Sequence, residues 1–276
     1  MTSALPQETA QHRVLIIGNS HAGALRSAKE EFETLYPEVS LSFFASPGTS
    51  FKRGRPDKEN NFVPKLFGDD DAATVVAING CDKISLNGYD HILAVGHRPD
   101  LFGLCGLAGQ EGGFGVLDLD TEAPHFLSRE LVEDWLDHIL DPWVKRMARL
   151  FGTQKGFSFT DAPYRSLSML DEGETRREAQ QFAQFQAIPF LGDLMTIYDQ
   201  KLAAKLSDHG FGLVQQPLQT RAAPFATDAR FCRGAADAAG DEISVDHRHM
   251  NAAFGLEILT EFANKQLGLP VRTSNG

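Results

Sequence analysis

Apolar residues in this chain fall into short unbroken runs that alternate with segments of helical spacing. "RVLIIG" (13–18) is a continuous apolar run of strand length, the kind buried on both faces of a parallel sheet. "HAGALRSAKEEFETLYP" follows with helical periodicity and stops at Pro37. "VSLSFFAS" (39–46), "HILAVG" (91–96), "GFSFTDAP" (156–163) and "GFGLVQQP" (210–217) read as four further strands. Helical spacing marks 128–151, with Ser128 as N-cap and Pro142 placed to kink its middle. It marks 173–186, 193–208 and, closing the chain as one amphipathic helix, 246–268. Strands alternating with helices predict a three-layer α/β/α sandwich around a mostly parallel five-stranded sheet.

Three connecting pieces, 47–72, 98–126 and 218–245, are longer than ordinary loops and read as functional or disordered segments. Within the insertion before the third strand, "ATVVAI" (73–78) and "KISL" (83–86) predict a small hairpin around "NGCD", and "DDD" (69–71) reads as a solvated turn. The Gly-rich "LFGLCGLAGQEGGFG" reads as a mobile flap. No repeat or linker divides the chain. The expectation is a single domain over 13–268, between a flexible leader (1–12) and a flexible tail (269–276).

Composition narrows the function. With 276 residues, 42% of them hydrophobic, one large core suffices. Phe outnumbers Tyr and Trp at 20 against 4 and 2, which suits a dry core or an apolar pocket. A net charge of -11 argues against nucleic acid or an anionic membrane as main partner, while leaving room for a local basic pocket. Cys81, Cys105 and Cys232 form neither a disulfide framework nor a zinc pattern, so reduced thiols in a cytoplasm are expected. The N-terminal residues lack the pattern of a signal peptide, and no apolar run is long enough for a bilayer span. The spacing of "HRH" offers no metal set, and no cofactor is expected.

The stretch "VLIIGNSHAGAL" (14–25) carries the candidate chemistry. Ser20 at a strand-to-helix turn is a natural N-cap. A dinucleotide loop would need Gly at position 20 and an acid at the end of the second strand, and "FFASPG" has none. A nucleophile would need a base and a group to orient it. "DHRHMN" offers both: Asp246 and His249 stand three apart at the start of the last helix, on one side of a turn.

"GNSHA" after the first strand together with "D-x-x-H-x-N" opening the last helix resembles the SGNH (GDSL-like) hydrolase superfamily, over the length of the chain. The resemblance implies an acyl-enzyme at Ser20, with His249 as general base and acid and Asp246 orienting it. It implies an oxyanion hole of the Ser20 and Gly48 amides. Two positions depart from the family pattern. Asn19 stands where Asp is usual, and "VGHRPD" replaces the Gly-x-Asn-Asp block, putting His97 near the place of the third donor.

Other residues carry weaker signals. His21 and Arg98, with Arg221 and Arg248 from a group that includes Arg230 and Arg233, are candidate substrate contacts; the arginines equally read as ordinary surface charge. "FKRGRPDK" (51–58) has the same ambiguity. His247 reads as solvent-facing or touching a loop, and Asn251 as securing the helix start. The expected activity is hydrolysis or transfer of a small acyl group, such as acetyl, on a polar or carbohydrate ester, with oligomeric state open. A glycan- or partner-binding protein with weakened catalysis and a nucleotide-binding α/β protein are the alternatives.

Overall fold

A computed structural model describes residues 11–99, 114–116, 118, 125–171, 177–234 and 246–272. The leader up to residue 10, Cys105, most of the Gly-rich flap, residues 172–176 and 235–245 and the end of the tail lie outside the described residues.

Five strands form one parallel sheet: β1 (His12–Gly18), β2 (Val39–Ala45), β3 (His91–His97), β4 (Phe157–Asp161) and β5 (Gly212–Val214). Their order is β2-β1-β3-β4-β5, so the winding reverses between β1 and β3. In such sheets ligands bind in the crevice outside the carboxyl ends of the strands at that reversal.

The unbroken apolar run of β1 serves both faces. Leu15 and Ile17 point into one core, with Phe44, Ala94, Phe157 and Phe159. Val14 and Ile16 point into the other, with Leu41, Leu93, Val95 and Val214. Nine helices among the described residues follow in chain order: α1 (Ala22–Ser27), α2 (Lys29–Leu35), α3 (Gly48–Lys52), α4 (Asp69–Asn79), α5 (Arg129–Phe151), α6 (Ser168–Asp171), α7 (Arg177–Gln186), α8 (Leu191–Ser207) and α9 (Ala252–Leu267). α5 and α8 cover the first face. The α5 stripe Val132, Leu136, Leu140, Val144, Met147 and Phe151 repeats at helical spacing. α1, α2 and α9 cover the second. Gly255 lets α9 meet α1, since a Cβ there would lie 2.1 Å from the Ala24 carbonyl oxygen. The three-layer sandwich is as the alternating pattern predicts.

Ser128 caps α5 by accepting from the Leu131 amide, and Pro142 sits on an exposed position of a helix that continues past it. Asn251 caps α9 by accepting from the Phe254 amide.

Several local expectations are corrected. Residues 69–79 form α4, not a turn and the first strand of a hairpin. Asp69, Asp70 and Asp71 occupy its first turn, where the helix dipole favours anions, and Gly80 ends it at φ +73°. Ile84–Ser85 is a strand, but pairs with Asn61–Val63, which pairs in turn with Arg55–Pro56; the segment 47–72 is therefore largely ordered into α3 and this small sheet. The first helical stretch divides at Ala28. Most consequentially, Asp246–Met250 is a strand paired with Cys232–Arg233, and the last helix starts only at Ala252. Among the described residues, no helix is long and apolar enough to cross a membrane.

Candidate active site

The turn after β1 is built by Asn19. Its Oδ1 accepts from the His21 amide at 3.0 Å, and its Nδ2 donates to the Gly96 carbonyl at the end of β3, 3.2 Å away. Asn19 is buried, and Ser20 beyond it is exposed. Ser20 does not cap the following helix: α1 opens after His21 without a side-chain cap. The hydroxyl points elsewhere.

Its partner comes from the far end of the chain. Ser20 Oγ lies 2.9 Å from His249 Nε2, and His249 Nδ1 lies 2.7 Å from Asp246 Oδ2. The pairing around Asp246–Met250 explains this geometry. Cys232 faces Met250 while its neighbour Arg233 faces Asp246, so residues 247–249 bulge from the ladder. Asp246 Oδ1 closes the bulge by accepting from the Arg248 and His249 amides, which turns the imidazole back onto the carboxylate. Asn251 anchors the end of the bulge, donating to the Arg230 and Cys232 carbonyls.

Burial raises the Asp246 pKa, but the His249 ring and the two amides outweigh it and hold the carboxyl below its ordinary value. An ionised Asp246 can only accept, so His249 keeps its proton on Nδ1. Nε2 is then the acceptor for the Ser20 hydroxyl.

Gly48 opens α3 after β2, and a Cβ there would come within 4.0 Å of Asn19 Nδ2. Ser20, Gly48 and Asn19 line one cleft of about 670 Å³ with His21, His249, Lys52, Arg98, Arg165 and Arg248. It lies at the carboxyl ends of β1, β2, β3 and β4, at the reversal of strand order. His21 sits beside His249, ring centroids 5.5 Å apart. Burial, then the charges of His249, Arg98 and Lys52, push its pKa down to about 3, so it stays neutral.

Three expected residues go elsewhere. His97 turns into the aromatic core, its ring centroid 4.6 Å from that of Phe51 and 6.2 Å from those of Trp143 and Phe159, and it does not line the cleft. Arg221 lines a different cleft, where it donates to the Gln216 carbonyl and faces Asp199. His247 is buried rather than solvent-facing and follows the other expected course, touching the segment after β4: its Nδ1 lies 3.1 Å from Ser168 Oγ and its carbonyl accepts from the Ser166 amide. Lys52, from the stretch "FKRGRPDK", lines the cleft, and so does Arg165, which was not singled out. Their signal was positional, since each follows a sheet strand at its carboxyl end. Among the described residues, no group of three or more His, Cys, Asp or Glu side chains is placed to hold a metal ion.

No protein-family model matches the chain, and no curated protein does. Similar solved structures include the periplasmic domain of a lipopolysaccharide acetyltransferase from Salmonella ser. Paratyphi A, at 9% identity, covering 95% of this chain and 85% of that one with a TM-score of 0.43. A DUF4886 family protein from Bacteroides uniformis is 11% identical, with 96% and 88% covered and a TM-score of 0.41. A GDSL-like lipase from Bacteroides thetaiotaomicron is 12% identical, with 95% and 91% covered and a TM-score of 0.37.

Proposed function

We propose that this protein is an SGNH-type serine esterase or acyltransferase that forms an acyl-enzyme at Ser20. The observation that carries the reading is the hydrogen-bonded chain from Ser20 Oγ through His249 to Asp246. His249 Nε2 takes the hydroxyl proton as Oγ attacks the ester carbonyl, and Asp246 stabilises the imidazolium that forms. The proton then passes to the departing alcohol. Water or an acceptor hydroxyl, activated by the same imidazole, releases the acyl group.

The developing oxyanion is assigned to the Ser20 and Gly48 amides. Neither donates to another described residue in the turns around it. With His97 in the aromatic core, a side-chain donor at that position is dispensed with. Loss of one oxyanion donor lowers rates by roughly a hundred- to a thousandfold, so modest turnover fits this site. A small acyl group on a polar or carbohydrate alcohol suits a cleft lined largely by charged and polar side chains.

The test is labelling by a fluorophosphonate together with turnover of p-nitrophenyl acetate. Wild type is expected to do both, and Ser20→Ala neither. Turnover unchanged in Ser20→Ala removes the nucleophile. Ligand binding without labelling supports the fold as a non-catalytic binding module instead.

A further inference from the structure

Two neighbouring clefts share an unusual lining. Lys52, Arg98, Arg165 and Arg248 face the cleft at Ser20, and no carboxylate among the described residues lines it. A second cleft of about 630 Å³ is lined by Arg53, Arg55, Lys65 and Arg146, again without a carboxylate among the described residues. The clefts approach each other at the end of α3. Lys52 lines the first, Arg53 beside it lines the second, and Arg146 Nη2 donates to the Lys52 carbonyl at 2.9 Å.

The chain carries 37 acidic residues against 26 basic ones. Elsewhere among the described residues many cations stand beside carboxylates, such as Arg13 with Asp90, Lys83 with Asp57, Lys205 with Asp137 and Arg272 with Glu38, while a few scattered ones, Arg26 and Lys155 among them, do not. Among the described residues, Lys52, Arg53, Arg55, Lys65, Arg98 and Arg146 have no carboxylate within 4.0 Å. Arg98 is the most committed of them. Its guanidinium carbon lies 4.8 Å from the Tyr164 ring centroid and 5.5 Å from that of Phe225. Its Nε and Nη2 are buried without a described hydrogen-bond partner. Its charge also favours the buried carboxylates of Asp161 and Asp199, and the stacked guanidinium is held in a fixed plane at the wall of the Ser20 cleft. A strip of like charge raised in an acidic protein repels itself, and an anionic ligand relieves that repulsion.

We propose that the ester cleaved at Ser20 is borne by a polyanionic carbohydrate. Its carboxylates or phosphates sit first against Arg98 and Lys52, then along the cleft of Arg53, Arg55, Lys65 and Arg146. The proposal rests on the esterase reading and names its substrate class. In the step itself, the bond between acyl carbon and sugar oxygen breaks as the Ser20 Oγ–carbon bond forms. His249 carries the Ser20 proton to the sugar oxygen. The repeating phosphodiester backbone of a nucleic acid has no carboxylic ester for Ser20 to attack, whereas polysaccharide hydroxyls carry such esters readily along the chain; the second cleft calls for more than one anionic group.

The experiment compares kcat/KM on O-acetylated polyuronate, O-acetylated polyol phosphate, O-acetylated xylan and p-nitrophenyl acetate, at low and high salt. One of the two anionic polymers is expected to exceed the neutral xylan by roughly tenfold or more, and which one identifies the anion. The preference is expected to shrink with salt. The triple variant R53Q/R55Q/K65Q is expected to reduce it by about fivefold or more, and K155Q, an exposed cation outside both clefts, to keep it. Equal rates on anionic and neutral polymers overturn the proposal, as does a preference indifferent to salt in the wild type. Binding of double-stranded DNA as tight as that of either polymer overturns the carbohydrate assignment. Deacetylated polymer binding to wild type separates the two readings. Salt-sensitive binding without any ester turnover sinks the esterase and leaves the anion site standing. Turnover of p-nitrophenyl acetate without polymer binding sinks this proposal alone.

Discussion

Asn19 and Gly96 are locked together across the carboxyl ends of β1 and β3. The amide of Asn19 donates to the Gly96 carbonyl, and Gly96, at φ +92°, leaves so little room that a Cβ would lie 2.3 Å from Asn19 Oδ1. The contact fixes the turn that presents Ser20, at the place where the sheet reverses its winding. A side chain at position 96 would have to dislodge Asn19 and hold an unfavourable backbone at once.

Gly96→Ala is therefore expected to cost about 2 kcal/mol or more of stability. It should also lower kcat/KM by roughly a hundredfold, because displacement of the Ser20 turn misplaces the reacting atom. Denaturant unfolding and ester turnover measured on the same preparation check both; wild-type values in the variant would show that the lock does not position the site.

Ser20→Ala and His249→Ala are each expected to lower kcat on p-nitrophenyl acetate by on the order of 10⁴ to 10⁶, and Asp246→Asn by about 10⁴. The double variant Ser20→Ala/His249→Ala should lose little more than either single one, since the groups act as a unit. Additive losses in steady-state kinetics would argue against a shared proton path.

His97 predicts acid sensitivity of the fold. Burial, then the charges of Lys52 and Arg146, push its pKa down from 6.5 to about 3. Between those values the unfolded chain binds a proton that the folded chain refuses. The stabilising contribution is complete above about pH 6.5 and is lost as pH falls, by roughly 2 kcal/mol at about pH 5. Denaturant midpoints at about pH 7 and pH 5 measure the slope. His97→Phe, which keeps a ring in the aromatic cluster and removes the titration, should flatten it.

Asn251→Ala removes the cap of α9 and the two hydrogen bonds that tie the bulge end to Arg230 and Cys232. A loss of about 2 kcal/mol is expected, with a fall in kcat because His249 is two residues away. Thermal unfolding and turnover test this together; a stability loss with unchanged kcat would show that the bulge holds His249 by itself.

The apolar pattern by itself determined the frame. A run as unbroken as "VLII" in β1 can be satisfied only by burial on both faces, and helices of 3.6-residue period between such runs then have to lie above and below. The cap residues Ser128 and Asn251 were legible for the same local reason, because a side-chain oxygen at a helix start acts within three residues. Ser20, His249 and Asp246 were legible as candidates, though not as geometry.

What only the tertiary structure decided was every choice that depends on a distant partner. Val75, Val76 and Ile78 suit a strand, yet the first-turn aspartates and Gly80 at positive φ carry 69–79 into a helix. Residues 246–250 continue the amphipathic pattern of α9, yet pairing with Cys232–Arg233 draws them into a bulged strand, and that bulge, rather than a helical turn, brings Asp246 under His249. His97 could face either side of its strand end until Phe51, Trp143 and Phe159 enclosed its ring. Local sequence sets which residues can start an element or carry a proton. Which surface each one meets is set by contacts between segments far apart in the chain, and those contacts exist only once the chain has folded.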